Sequence, residues 1–119
     1  MNLLIVEGHE GVRRGLAATL SRHPQVCVLG AVDNLPAALT LCETRQPDVV
    51  LFEPRTTAGA PLAALQRLGG AGRPVVVLTS SLLDGEGQAF MGAGAAAVVL
   101  KGVHTAPLLA TLERAVVLQ

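Results

Sequence analysis

Five short apolar runs, spread along the whole chain, constrain the fold of this sequence more than any other feature. Most of them are continuous rather than alternating, which indicates strands buried on both faces of a sheet. Prolines and glycines mark the boundaries between the runs and the segments that follow them. The runs are Leu3 to Val6, Val26 to Val32, Val49 to Phe52, Val75 to Leu78 and Ala95 to Leu100.

Segments with helical spacing separate these runs. Apolar residues at intervals of three or four fall on one face of each segment, as in a helix that covers a sheet. The fourth segment, around Asp84 to Met91, is short and rich in glycine, and the last extends from about Thr105 to Leu118. The marker positions in the first three are Val12, Leu16 and Leu20, then Leu35, Leu39 and Cys42, then Leu62, Leu65 and Leu68.

The strict alternation of strands and helices predicts an α/β fold. We expect a doubly wound, five-stranded parallel sheet with helices on both faces and right-handed crossovers, a three-layer sandwich. The length of 119 residues fits one domain over residues 1–119. Sheets of this kind carry their functional sites at the carboxyl ends of the strands.

Composition excludes several classes of function. The formal net charge is zero, so bulk charge would not hold nucleic acid or an anionic membrane. The start of the chain lacks the basic region of a signal peptide, and no apolar run approaches the roughly 18 residues of a membrane span. We therefore expect a cytoplasmic protein without membrane contact, and we expect Cys27 and Cys42 to be reduced thiols in the core.

Polar residues follow four of the five predicted strands. Glu7 and Gly8 follow the first strand, Glu53 follows the third, Thr79 ends the fourth, and Lys101 follows the fifth. Any one of them also fits a turn or a helix cap. Their joint placement predicts a shared site at the carboxyl edge of the sheet.

Four blocks of this sequence resemble the receiver domains of bacterial response regulators, especially those joined to LuxR-type helix-turn-helix domains. The resemblance covers essentially the whole chain and implies a CheY-like, flavodoxin-like fold. It also implies a regulatory domain and not an enzyme, with no catalytic residue of its own. The blocks are LLIVEGHEGVRRGLAATL, PDVVLFEPR, VVVLTSS and GAGAAAVVLKG.

The departures from the family pattern fall on the implied phosphorylation site. The family normally has two acidic residues after the first strand, which help to hold a divalent cation, whereas this chain has Glu7 and Gly8. Its phosphoacceptor is an aspartate, and Glu53 stands at that position. Its aromatic switch residue, three positions before the lysine, is replaced by Val98. The hydroxyl and lysine positions are retained as Thr79 and Lys101.

These departures predict a degenerate phosphorylation site. Magnesium needs nearly octahedral oxygen ligands, and Gly8 supplies none. The extra methylene of Glu53 displaces its carboxylate by about 1 Å, a shift that can cost on the order of a hundredfold in rate. We therefore expect no metal and no cofactor. Glu53 either imitates the phosphorylated state by contacting Lys101 and Thr79, or belongs to a structural ion pair left after the chemistry was lost.

The final predicted helix carries more apolar residues than a helix over a sheet requires. The surplus at Leu109, Val116 and Val117 predicts a homodimer interface, and a face that packs on a missing downstream domain is the other interpretation. The chain is either an excised domain or a complete single-domain protein. If it is excised, a helix-turn-helix domain is expected to follow, and only that domain would bind DNA.

Other functions remain open from the sequence. They are a non-standard phosphoacceptor that uses Glu53, a small-molecule sensor in the vacated pocket, and a purely structural scaffold. The remaining charged residues point to no site of their own. His9, His23 and His104 lack metal-ligand spacing, and Arg13 and Arg14 are expected on a solvated face of the first helix.

Overall fold

The structure is a computed structural model that describes residues 1–57, 59–102 and 105–118. Its five strands pair in parallel, and they coincide with the predicted runs to within two residues at each end. They are β1 (Asn2–Val6), β2 (Cys27–Val32), β3 (Val49–Phe52), β4 (Val75–Thr79) and β5 (Ala97–Leu100). The order in the sheet is β2-β1-β3-β4-β5.

In the described parts of the chain an α-helix follows each of the five strands, as the spacing predicts. The fourth is the shortest, because three glycines (Gly85, Gly87 and Gly92) lie in or beside it and lower its helix propensity. The helices are α1 (Glu10–Ser21), α2 (Leu35–Arg45), α3 (Pro61–Leu68), α4 (Glu86–Gly92) and α5 (Thr105–Val117). Two 3₁₀ turns, Pro54–Thr57 and Gly70–Gly72, lie beside α3.

Two apolar clusters, one on each face of the sheet, form the core. Helices α1 and α5 cover one face, and α2, α3 and α4 cover the other. Alternate residues of each central strand therefore enter opposite clusters, so that Leu4 and Val6 lie in one and Leu3 and Ile5 in the other. This arrangement confirms the three-layer α/β sandwich.

The edge strands are less buried than the central ones. All residues of β3 and β4 are buried, whereas β2 and β5 are at best partly buried, since each has a neighbouring strand on one side only. Cys27, at the start of β2, is exposed, so its prediction as a core thiol was wrong. Cys42 on α2 is buried, as predicted. Val98 on β5 is partly buried and packs against the core.

Helix α5 differs from its predicted surface. Leu109 is buried at 7% exposure and Val116 packs partly against the core, so neither is the exposed interface residue that the sequence predicts. Because Leu109 and Val116 also pack against the core, the apolar stripe by which the helix covers the sheet is wider than predicted. Val117 is 80% exposed, and Leu118 just beyond the helix is 76% exposed. The apolar surplus is therefore confined to the carboxyl end.

No helix in the described parts of the chain combines the length and the apolar character that crossing a membrane requires.

Candidate regulatory site at the carboxyl edge of the sheet

The register of the strands brings the polar residues to one edge. Val6 at the end of β1 lies beside Phe52 at the end of β3, and the backbone N–H of Glu53 donates to the carbonyl of Val6 at 2.9 Å. On the other side, the N–H of Lys101 donates to the carbonyl of Thr79 at 2.7 Å. A cleft of about 230 Å³ opens there, lined by Glu7, Gly8, His9, Glu53, Arg55, Thr56 and Lys101.

Glu7 is a buried carboxylate with both oxygens engaged. It is 3% exposed, and its Oε1 lies 2.5 Å from the Nζ of Lys101 in an ion pair. Its Oε2 accepts a hydrogen bond from the N–H of His9 at 3.1 Å. The lysine side chain is 23% exposed, so its ammonium compensates the buried charge while remaining open to the cleft.

Glu53 is the second buried carboxylate, at 4% exposure, and it turns back onto its own chain. Its Oε2 accepts a hydrogen bond from the N–H of Thr56 at 3.0 Å, which caps the 3₁₀ turn that starts at Pro54. Its Oε1 accepts no hydrogen bond from any residue that the structure describes.

The expected contacts of Glu53 with Lys101 and Thr79 are not formed. The ammonium of Lys101 pairs instead with Glu7, although β1 and β5 are separated in the sheet by β3 and β4. The hydroxyl of Thr79 donates to the carbonyl of Ser81 at 3.1 Å. Both expectations for Glu53, the imitation of the phosphorylated state and the structural ion pair, were therefore wrong, because the carboxylate that pairs with Lys101 is Glu7.

Gly8 leaves a position that another side chain could occupy. Its N–H donates to the Oγ1 of Thr56 at 2.8 Å, and a Cβ added at Gly8 would lie 3.5 Å from the same oxygen, an ordinary contact. Gly8 is not among the glycines with a positive φ. Glycine is thus not required by the backbone at this position, and what the site lacks there is a carboxylate.

Arg55 joins the two loops that border the cleft. Its guanidinium donates to the hydroxyl of Ser80 and, at 2.8 Å, to the hydroxyl of Ser81. The turn after β3 is thereby tied to the segment after β4. Sequence reasoning did not identify Arg55 or Thr56 as site residues, although both lie within three positions of Glu53 and would have been found by scanning the turn for donors.

Arg13 also belongs to the site and not to a solvated face as predicted. Its guanidinium donates to the carbonyl of Glu7 at 3.1 Å, which holds the start of α1 against the end of β1. Arg14 does lie on the solvated face, where it pairs with Glu10 at 2.9 Å. His9 caps α1 by accepting the N–H of Val12 at its Nδ1, at 3.2 Å.

No metal-binding cluster is evident in the part of the chain that the structure describes: nowhere there do three His, Cys, Asp or Glu side chains come together around a possible ion. His104 lies outside the described residues. The cleft instead offers two carboxylates, one ammonium and one guanidinium.

Comparisons with known proteins agree on one family. The sequence matches the response regulator receiver domain family over residues 3–113. It is 25% identical over 115 residues to the transcriptional regulatory protein YdfI of Bacillus subtilis, covering 96% of this chain and 54% of that protein. It is 26% identical over 117 residues to LiaR, another transcriptional regulatory protein of that organism, covering 97% of this chain and 56% of that protein. The chain thus spans about half the length of these curated relatives.

Solved structures show the same fold. A DNA-binding response regulator of the LuxR family from Staphylococcus aureus superposes with a TM-score of 0.85 at 22% identity, over 97% of this chain and 98% of that one. A two-component response regulator of the LuxR family from Aurantimonas sp. SI85-9A1 gives 0.89 at 19% identity, over 99% and 86% respectively.

Proposed function

This chain belongs to the response regulator receiver domain family, and we propose that it is a regulatory module whose state does not depend on phosphorylation of Glu53. The observation that carries the proposal is the position of the Glu53 carboxylate, which is buried and hydrogen-bonded to Thr56 at 3.0 Å. A carboxylate held against its own turn is poorly placed for in-line attack on a phosphoryl donor.

Two further features support the proposal that Glu53 does not accept a phosphoryl group. Phosphoryl transfer needs a cation that offsets the charge of the transferred group, and Gly8 offers no side-chain oxygen to hold Mg²⁺. Lys101, the other cation that would act there, is already paired with Glu7 at 2.5 Å. A phosphoryl group on Glu53 would have to share this ammonium with a buried carboxylate.

The proposed context is a non-catalytic, cytoplasmic module of a transcription regulator. The relatives from Bacillus subtilis carry the name of transcriptional regulatory proteins and are about twice as long as the region matched. We propose that a helix-turn-helix effector domain follows in the parent protein and that DNA contact is made by that domain only.

The proposed output is homodimerisation through the carboxyl end of α5. Val117 and Leu118 are adjacent, apolar and strongly exposed, at 80% and 76%. Apolar residues placed together on a surface often mark a partner interface, and a symmetric pair uses the same patch twice. Light scattering across a dilution series tests this proposal. We expect the same dimer with and without acetyl phosphate and Mg²⁺, and a dimer that appears only with the phosphodonor would contradict it.

A second candidate function is small-molecule sensing at the same edge of the sheet. It is favoured by the cleft of about 230 Å³ and by Oε1 of Glu53, a carboxylate oxygen without a hydrogen-bond partner among the described residues. In the remaining alternative, Glu53 is a non-standard phosphoacceptor. That alternative predicts that a small phosphodonor labels the protein.

A further inference from the structure

We propose that the cleft between Glu53, Arg55 and Lys101 binds a small zwitterion, with the ligand's ammonium on Glu53 and its carboxylate on Arg55 and Lys101. The inference rests on the proposed phosphorylation-independent function, for which such a ligand would supply the input that phosphorylation supplies elsewhere. The chemical class is an α-amino acid or a molecule of similar size and charge.

The position of the ligand's ammonium is inferred from a difference between the two buried carboxylates. Glu7 has an ammonium at 2.5 Å and a backbone N–H at 3.1 Å. Glu53 is equally buried but receives only the N–H of Thr56, and no cation among the described residues pairs with it. Burying a carboxylate is costly unless it is paired and hydrogen-bonded. A ligand ammonium at Oε1 of Glu53 would provide both the charge and the missing donor.

The position of the ligand's carboxylate is inferred from unused donors on two other residues that line the cleft, Lys101 and Arg55. The ammonium of Lys101 has three donor hydrogens, and its ion pair with Glu7 leaves others free at a side chain that is 23% exposed. The guanidinium of Arg55 has five, and its bonds to Ser80 and Ser81 use only part of them. Both side chains line the same cleft as Glu53. Charge-assisted bonds from such donors suit a carboxylate.

The charges of the cleft argue against a ligand of one sign. A simple cation would lie beside Lys101 and Arg55, and a simple anion would face the buried charge of Glu53. A molecule that separates its two charges by a few bonds can place each charge beside a side chain of the opposite sign. This complementarity is the reason for assigning a zwitterion.

The size of the cleft limits the ligand further. Sites for drug-sized ligands occupy roughly 300–1,000 Å³, whereas this cleft measures about 230 Å³. That volume corresponds to about eight water molecules at their share of the liquid, about 30 Å³ each. Amino acids such as glycine, alanine and serine fit within it. Because so few atoms make contact, we expect a dissociation constant between the high micromolar and the low millimolar range.

Amide NMR spectra of the isotope-labelled full chain provide the test, since the chain has no Trp or Tyr to report by fluorescence. The probes are glycine, L-alanine, L-serine and β-alanine, titrated at constant pH and ionic strength. The reporters are the amide groups of Gly8, His9 and Thr56, which border the cleft. We expect saturable shifts of these three signals with at least one probe. Shifts that fail to saturate with every probe would overturn the proposal.

Two small molecules, each with only one of the two charges of the ligand, serve as controls. Methylammonium chloride and sodium acetate carry one charge each, and neither should saturate the same signals at the same concentration. If either half bound as tightly as the intact amino acid, zwitterion recognition would be wrong.

Variants separate the site from general effects on the fold. Glu53→Gln keeps the shape and removes the charge, so it should raise the dissociation constant about tenfold to a hundredfold. Arg55→Gln should weaken binding in the same direction. Glu43→Gln, which neutralises an exposed carboxylate on α2, should leave it unchanged. Unaltered binding to Glu53→Gln would overturn the assignment.

Failure of this inference is distinguishable from failure of the proposed function. If no amino acid binds and acetyl phosphate also leaves the wild type unlabelled, the phosphorylation-independent function stands without this ligand. If acetyl phosphate labels Glu53, the function fails whatever the NMR titration shows.

Discussion

Lys101 forms its ion pair with Glu7 and not with Glu53, and the distance from Nζ to Oε1 is 2.5 Å. The pairing assigns the site's ammonium to the carboxylate that follows β1, while the carboxylate that follows β3 is capped by the N–H of Thr56 at 3.0 Å. The two acidic residues therefore have different roles. Glu7 is a compensated charge that ties β1 to β5 through the lysine, and Glu53 is a buried charge that shapes its own turn.

Removing the ammonium should destabilise the fold, because it leaves Glu7 buried at 3% exposure without a counter-charge. We expect Lys101→Met to lower the free energy of unfolding by about 3 kcal/mol, measured by urea denaturation. Glu7→Gln combined with Lys101→Met should recover part of this loss. Arg14→Met breaks a pair whose side chains are 78% and 64% exposed and should cost about 0.5 kcal/mol or less. Equal losses in the two single variants would contradict the buried-pair interpretation.

Phosphorylation should return only when both lost features are restored. Glu53→Asp alone leaves the site without the acidic residue at position 8, so we expect no labelling by acetyl phosphate in the presence of Mg²⁺. Gly8→Asp with Glu53→Asp should recover measurable labelling, since a Cβ at Gly8 meets Thr56 at an ordinary 3.5 Å. Intact-mass measurement detects both results. Strong labelling of the single variant would show that the carboxylate at position 8 is dispensable.

The dimer should depend on the carboxyl end of α5. Val117→Glu places a charge in the proposed apolar contact, and we expect the dissociation constant of the dimer to rise by about tenfold or more. Ala63→Glu introduces the same charge on the exposed face of α3 and should leave the dimer unchanged. Sedimentation or light scattering over a dilution series measures both. A wild type that stays monomeric at high micromolar concentration would exclude this interface.

The two thiols should differ in reactivity. Burial is the main cause that raises the pKa of Cys42, with Glu43 adding to the shift and Arg73 opposing it. A raised pKa lowers the thiolate fraction at a given pH, and the thiolate is the reactive form. At about pH 8, iodoacetamide should therefore modify the exposed Cys27 in the native protein and Cys42 only after denaturation. Modification of both thiols at equal rates would contradict the burial of Cys42.

The positions of the strands and the shared edge follow from patterns that the sequence displays directly. Continuous apolar runs such as Val49–Phe52 become central strands because helices cover both of their faces. The same pattern misleads at an edge, where Cys27 sits at the start of an apolar run but has no strand on one side. Leu109 shows the opposite error, since the sequence alone does not reveal how much of the sheet α5 covers.

Which carboxylate pairs with which donor in the site depends on distances that the sequence does not contain. Glu7 and Glu53 follow β1 and β3 at the edge of the sheet that Lys101 also occupies, and only the three-dimensional arrangement shows which carboxylate the ammonium reaches. Arg13 lies three residues after the start of α1 and was expected to be solvated. Its long side chain reaches back to the carbonyl of Glu7 at 3.1 Å. A backbone N–H a few residues away, such as that of Thr56, can also bind a carboxylate. No sequence motif marks such a contact in advance.

The most direct test of the central claim is the intact mass of the wild-type protein after incubation with acetyl phosphate and millimolar Mg²⁺. The Gly8→Asp, Glu53→Asp variant treated in parallel serves as the positive control for the reagent. We predict that the wild type gains no phosphoryl group under conditions in which the variant does. A wild-type mass increase of one phosphoryl group, lost in Glu53→Gln, would contradict the account.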